Sequence, residues 1–215
     1  MPGVAGEVRA LKQLLPDARF FTRAQATKAA LQQVSGPSIL HVATHGFFLA
    51  DRSTAPSPQN RRSRVAKWAT WTENPLLRSG LALAGANHAR GNEADGVLTA
   101  LEATGLDLWG TKLVVLSACE TGLGDVKNGE GVFGLRRALV LAGAESQMMS
   151  LWAVSDRSTS DLMAGYYRAL LDGQGRGEAL RRVQLGMLRT ASRSHPYYWA
   201  SFIESGEWAN LEGQR

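Results

Sequence analysis

The sequence predicts an α/β fold: a mostly parallel sheet with helices on both faces. Three observations carry this. Helical and strand-like patterns alternate along the chain, which is the signature of parallel strands joined by helical crossovers. Two runs, Ser38–Thr44 and Thr111–Ala118, have the near-continuous apolar character of strands covered on both sides. Each then breaks into a glycine-containing loop, at Gly46 and at Gly122, as strands do at the carboxyl edge of such a sheet. At 215 residues the chain fits one large domain with a sizeable core.

Taken in order, Val4–Leu15 places Val4, Val8, Leu11, Leu14 and Leu15 at helical spacing, and Pro16 ends it. Ala18–Phe21 reads as a short strand. Thr22 and Gln25 match a capping box, opening a helix that runs to about Val34 and meets Gly36 as its C′ residue. Ser38–Thr44 is the first central strand. The stretch from Phe47 to Arg90 is long and carries Pro56, Pro58 and Pro75; within it, residues 51–74 read as a mobile, basic, lid-like insertion. Leu81–Ala84 is a short strand. Val97–Ala103 is a short helix started by a turn at Asp95–Thr99. Thr111–Ala118 is the second central strand, Glu130–Ala142 a largely buried helix, and Ser146–Val154 the third strand. Arg157–Leu171 and Glu178–Ala191 are amphipathic helices flanking Gly173 and Gly175, and His195–Ile203 is a final β-rich segment.

Composition excludes several classes. The single cysteine rules out an intrachain disulfide and fits a reducing compartment. No apolar run reaches the roughly 20 residues needed to span a bilayer, and the N-terminus lacks the pattern of a secretory signal, so the expected location is cytoplasmic without membrane contact. Net charge is +5 with a sequence pI of about 9.7. The basic residues are nevertheless scattered except in Arg61–Lys67, and no aromatic pattern interleaves them, so nucleic acid is not the expected partner.

The chemistry-bearing residues sit where the two central strands end. Neighbouring parallel strands open their carboxyl ends onto one crevice. The first would deliver His45 there and the second Cys119, a thiol with an imidazole as acid/base partner. The amides of Gly46 and Cys119 could hold an oxyanion. His41 and His45 are four residues apart, a zinc spacing on a helix, but on a strand that spacing covers about 13 Å, so no metal site is expected. His41 is read as a core or supporting residue, and His195 as a packing residue with a satisfied hydrogen bond. The glycines Gly122, Gly124, Gly129 and Gly131 lack the Lys-Ser/Thr of a phosphate loop, and no cofactor is expected.

These blocks resemble the CHAT family, caspase-like domains usually fused to tetratricopeptide repeats. The likeness covers nearly the whole chain. It runs through Leu40–Gly46, Asn74–Leu77 with Gly80–Gly85, Asp95–Glu102, Val114–Gly124, Gly129–Arg137, Ser150–Asp156 and His195–Ala200. The resemblance implies a caspase-like, flavodoxin-like three-layer sandwich and a cysteine endopeptidase of caspase/separase type, with His45 and Cys119 as a dyad. Its partners would be a protein or peptide substrate and an upstream sensor or repeat region, in a bacterial pathway. It also implies that the segment after the third strand lines the substrate pocket. Trp152, Asp156 and Ser117 are the candidates there, with Asp156 an acidic floor for an Arg or Lys side chain. The competing and preferred reading of Asp156 is as the cap of the helix that follows it. Family members carry a further strand before the first helix seen here. The chain is therefore expected to be one CHAT domain over 1–215 that lacks that strand, a fragment of a longer protein. The alternative function is a catalytically latent module that binds a partner protein.

Overall fold

The computed structural model describes residues 2–48, 75–87, 96–117, 130–152 and 155–214. Helix α1 (Pro2–Leu14) follows the apolar spacing as expected, and Pro16 prevents its continuation. The strand expected over Ala18–Phe21 does not form. A short apolar run becomes a strand only beside a ladder it can join, and Phe20 instead packs on the core from a loop, under the ammonium of Lys12. The expected cap is also displaced. Thr22 makes no capping hydrogen bond and precedes one 3-10 turn in which Arg23 takes a φ of 53°. The cap is Thr27, whose hydroxyl accepts from the Ala30 amide at 3.1 Å, and helix α2 is Lys28–Gln32. Gly36 lies beyond its C-cap, Gln33.

Strand β1 (Ile39–Val42) is shorter than the apolar run suggested. The chain turns at Ala43–Thr44 and enters β2 (His45–Phe48), which belongs to a different sheet. A short helix α3 (Pro75–Arg78) leads into β3 (Ser79–Ala82), and β4 (Val97–Thr99) completes an antiparallel sheet of order β2-β3-β4. The helix expected over Val97–Ala103 is thus split. Thr99 is the switch, because it ends β4 and caps helix α4 (Ala100–Ala103) with a reciprocal pair: its hydroxyl accepts from the Glu102 amide, and the Glu102 carboxylate accepts from the Thr99 amide.

Strand β5 (Leu113–Leu116), helix α5 (Glu130–Leu141), strand β6 (Ser146–Ser150), helix α6 (Asp156–Leu171) and helix α7 (Arg176–Leu188) agree with expectation within a few residues. The segment expected to be β-rich from His195 opens instead as a 3-10 turn at Pro196–Tyr198, and β7 is Phe202–Gly206. The main sheet has the order β1-β5-β6-β7, with β1, β5 and β6 parallel and β7 antiparallel to β6. β1, expected to be central, is therefore an edge strand among the described residues.

Strand parity sorts the core into two layers. Ile39, Leu113, Val115 and Met148 face α1, α6 and α7, meeting Leu11, Leu162, Tyr166, Tyr167 and Leu180. Leu40, Val42, Val114, Leu116 and Met149 face α2, α4 and α5, and Leu81 and Leu98 of the second sheet join that same layer. Helices thus cover both faces, and the molecule is an α/β sandwich of the expected class.

Candidate functional site

The carboxyl ends of β1 and β5 are held together by the backbone. Val42 stands opposite Leu116, and the Ser117 amide donates to the Val42 carbonyl at 3.0 Å. The two segments that leave this point carry the sequence-predicted dyad. His45 is not the end of β1 but the first residue of β2. There it pairs across to Ala82 with its side chain exposed, and the Thr44 hydroxyl donates to the Ala82 carbonyl to pin the turn. Gly46 is buried opposite Leu81. Cys119 lies outside the described residues, as do the 51–74 insertion, His88 and the glycines Gly122, Gly124 and Gly129.

Of the residues expected to meet substrate, Trp152 is partly exposed, and its indole N–H donates to the Tyr197 carbonyl at 3.4 Å. Asp156 is the first residue of α6. Ser155 holds the N-cap position without a side-chain hydrogen bond, which shifts the expected cap by one residue. Ser117 is turned inward. Its hydroxyl donates to Glu7 Oε2 at 3.2 Å, and its amide is spent on Val42.

A polar cluster beneath these strand ends was not anticipated. Glu7 on α1 is 3% exposed. Its Oε1 lies 3.1 Å from His41 Nε2, and the other ring nitrogen of His41 is 2.9 Å from the Tyr167 hydroxyl. Burial, and then the neighbouring Glu7 charge, push the Tyr167 phenol well above its ordinary value. The sequence did hold a signal for Glu7. It sits one turn before Leu11, so the stripe that carries Leu11 inward carries Glu7 inward too. His41, on β1, is thus partly buried between Glu7 and Tyr167. His195 is hydrogen-bonded as expected, with Nδ1 accepting from the Tyr197 amide at 3.1 Å, but it caps an exposed turn instead of packing.

Among the described residues no group of three or more His, Cys, Asp and Glu side chains is placed to hold a metal ion. No described helix is long and apolar enough to cross a membrane.

The model of the CHAT domain family matches residues 1–207. The chain belongs to the CHAT family. Two curated relatives share part of this CHAT domain. Human tetratricopeptide repeat protein 28 is 33% identical over 115 residues, which is 54% of this chain and 5% of the human protein. Mouse tetratricopeptide repeat protein 28 is 34% identical over 119 residues, 54% of this chain and 5% of the mouse protein. The matched stretch is thus a small part of each relative. The relatives are repeat proteins, in keeping with the expected link between this domain and tetratricopeptide repeats, and both are mammalian.

Proposed function

We propose that this CHAT domain is a caspase-like cysteine endopeptidase, with Cys119 as nucleophile and His45 as acid/base. The observation that supports it most is the pairing of β1 with β5, Val42 against Leu116, which sets Ser117, two residues before Cys119, beside Val42, three before His45. Family membership supports the same reading.

The chemistry needs few parts. The Cys119 thiolate adds to a peptide carbonyl carbon, and the Gly46 and Cys119 amides donate to the oxygen as it gains charge. The C–N bond breaks as His45 protonates the departing amine. Water then attacks the thioester, giving a proton to His45, and the C–S bond breaks to free the carboxylate product. Trp152 and Asp156 would line the pocket for the residue before the cut. A cleavage profile without a basic preference would remove Asp156 from that role. The named relatives are tetratricopeptide repeat proteins, and such repeats upstream of this chain would supply regulation.

Because the chain has one cysteine, thiol chemistry reports on the site directly. Iodoacetamide alkylation of the wild type should begin well below the free-thiol range of about 8.5, and His45→Ala should move the profile back toward it. In a peptide-library digest, Cys119→Ala should lose all cleavage. Retained cleavage, or a profile unmoved by His45→Ala, would refute the assignment.

A second reading is a latent module that binds a partner protein. The edge position of β1, paired on one side only among the described residues, favours it. Partner capture unaffected by Cys119→Ala, together with an ordinary thiol profile, would select it.

A further inference from the structure

We propose that Glu7 is a positioning residue, tying the two segments that bear Cys119 and His45 to helix α1. This rests on the peptidase reading. Sequence distance hides the connection, since the three parts come from residues 7, 41 and 117. In space one carboxylate serves both strands: Oε1 faces His41 Nε2 at 3.1 Å, and Oε2 accepts from the Ser117 hydroxyl at 3.2 Å. His41 is four residues before His45, and Ser117 is two before Cys119.

The contacts run in one line. The Tyr167 hydroxyl and His41 Nδ1 share a hydrogen bond at 2.9 Å, and the opposite ring nitrogen of His41 faces Glu7. Ser117 directs its hydroxyl hydrogen at the other oxygen of the same carboxylate. The His41–Glu7 contact is close but off the line of a good hydrogen bond, so neither Oε1 nor Nε2 has a well-aligned partner. The joint holds by proximity and is not locked.

Packing alone does not call for this cluster. A buried ionic group costs desolvation, and apolar side chains of similar volume usually fill such a site as well or better. What a charged, directional contact adds is a defined position. Here it is spent where β1 and β5 end, on a helix that otherwise docks through apolar residues such as Leu11 against α6. A shift of α1 would reach both strand ends through one side chain.

The test is the alkylation profile of Cys119 in the full chain, from about pH 5 to about pH 10, with circular dichroism to establish folding. Glu7→Gln keeps the shape and removes the charge. It should slow alkylation near neutral pH by about five- to tenfold and move the profile toward that of a free thiol. Ser117→Ala removes one hydroxyl and should slow it about two- to threefold in the same direction. Should Glu7→Gln fail to fold, Ser117→Ala decides. Arg176→Leu disrupts a comparably buried network at Ser146, the opposite end of the sheet, and should destabilise the protein without slowing alkylation. If it slows alkylation as much as Glu7→Gln does, the effect is general loosening and the inference is overturned. Wild-type profiles for both folded site variants overturn it as well. If those profiles come with a shifted His45→Ala profile, the peptidase reading survives; a wild-type His45→Ala profile takes down that reading and this inference together.

Discussion

Arg176 and Glu204 show how a single buried group sets a pH response. Arg176 is fully buried, and its Nη1 donates to Ser146 Oγ at 3.1 Å and to the Glu207 carbonyl at 3.2 Å. Its Nη2 donates to the Asn210 carbonyl at 3.3 Å and lies 3.5 Å from a Glu145 carboxylate oxygen. Glu204 on β7 has two buried carboxyl oxygens without a hydrogen-bond partner. Burial pushes its carboxyl up to about 7, and the Arg176 charge pulls only partly against this. A carboxyl raised from 4.5 to about 7 binds its proton more tightly in the folded state than in the unfolded chain. Its contribution to stability is fully present below about pH 4.5 and is lost as pH rises through about 7. Glu204→Gln keeps the neutral form at every pH. It should therefore raise stability at pH 8 by about 1–2 kcal/mol, after discounting for the part of the group that meets solvent, and change little at pH 4.5. Urea denaturation at the two pH values checks this. A gain of equal size at both would show that the carboxyl's charge plays no part.

The elements separate into those legible in the sequence and those that were not, and length is the reason. Helices α1, α5, α6 and α7 each repeat their apolar period several times, so pattern alone reveals them. β5 was equally plain, because a strand covered on both faces must be apolar throughout. The second sheet was hidden. Its strands have only three or four residues, and Val97-Leu-Thr99 is as compatible with a first helical turn as with a strand until its neighbours are known. Tertiary pairing decided it. Gly80 is the sign that could have been read. It sits at the centre of β3 between β2 and β4, where a Cβ would fall 2.3 Å from the Leu98 carbonyl oxygen and 2.8 Å from the Phe47 ring. A glycine inside a strand often marks such a close approach. Gly80→Ala must push β2 and β4 apart, costing about 2–3 kcal/mol. Because β2 begins at His45, the same change should also slow Cys119 alkylation. Thr99→Ala, which removes only the cap of α4, should cost about 1 kcal/mol and leave alkylation unchanged. Thermal melts and labelling rates on the two variants separate these effects. Equal labelling rates for Gly80→Ala and wild type would disconnect the second sheet from the site.

At the scale of the molecule, the described strands form two separate ladders that share one packed layer. Leu81 and Leu98 of the second sheet lie in one apolar layer with Val114, Leu116 and Met149 of the main sheet and Leu135 and Leu139 of α5. Leu98 is wholly buried there. The segments proposed to bear the dyad start from both sheets. The backbone leaves β1 at Val42, turns within two residues, and returns as β2, so His45 is fixed by the second sheet while Ser117 is held at the end of the strand pair β1–β5. In sequence both residues stand at strand ends, because glycine follows each apolar run. One of those ends is already the start of another strand, and a two-residue turn between sheets leaves no trace in hydropathy. A shared core predicts shared unfolding. Leu98→Ala empties a well-packed site and should cost about 3–4 kcal/mol. That loss should lower a single transition seen alike by far-ultraviolet circular dichroism and by loss of the enhanced Cys119 alkylation at neutral pH. Two resolved transitions, with only the earlier one sensitive to Leu98→Ala, would mean that the second sheet is an independent unit. It would then place His45 on a part of the protein able to melt while the β1–β5 pair stays folded, and cysteine reactivity would be lost well before the main sheet.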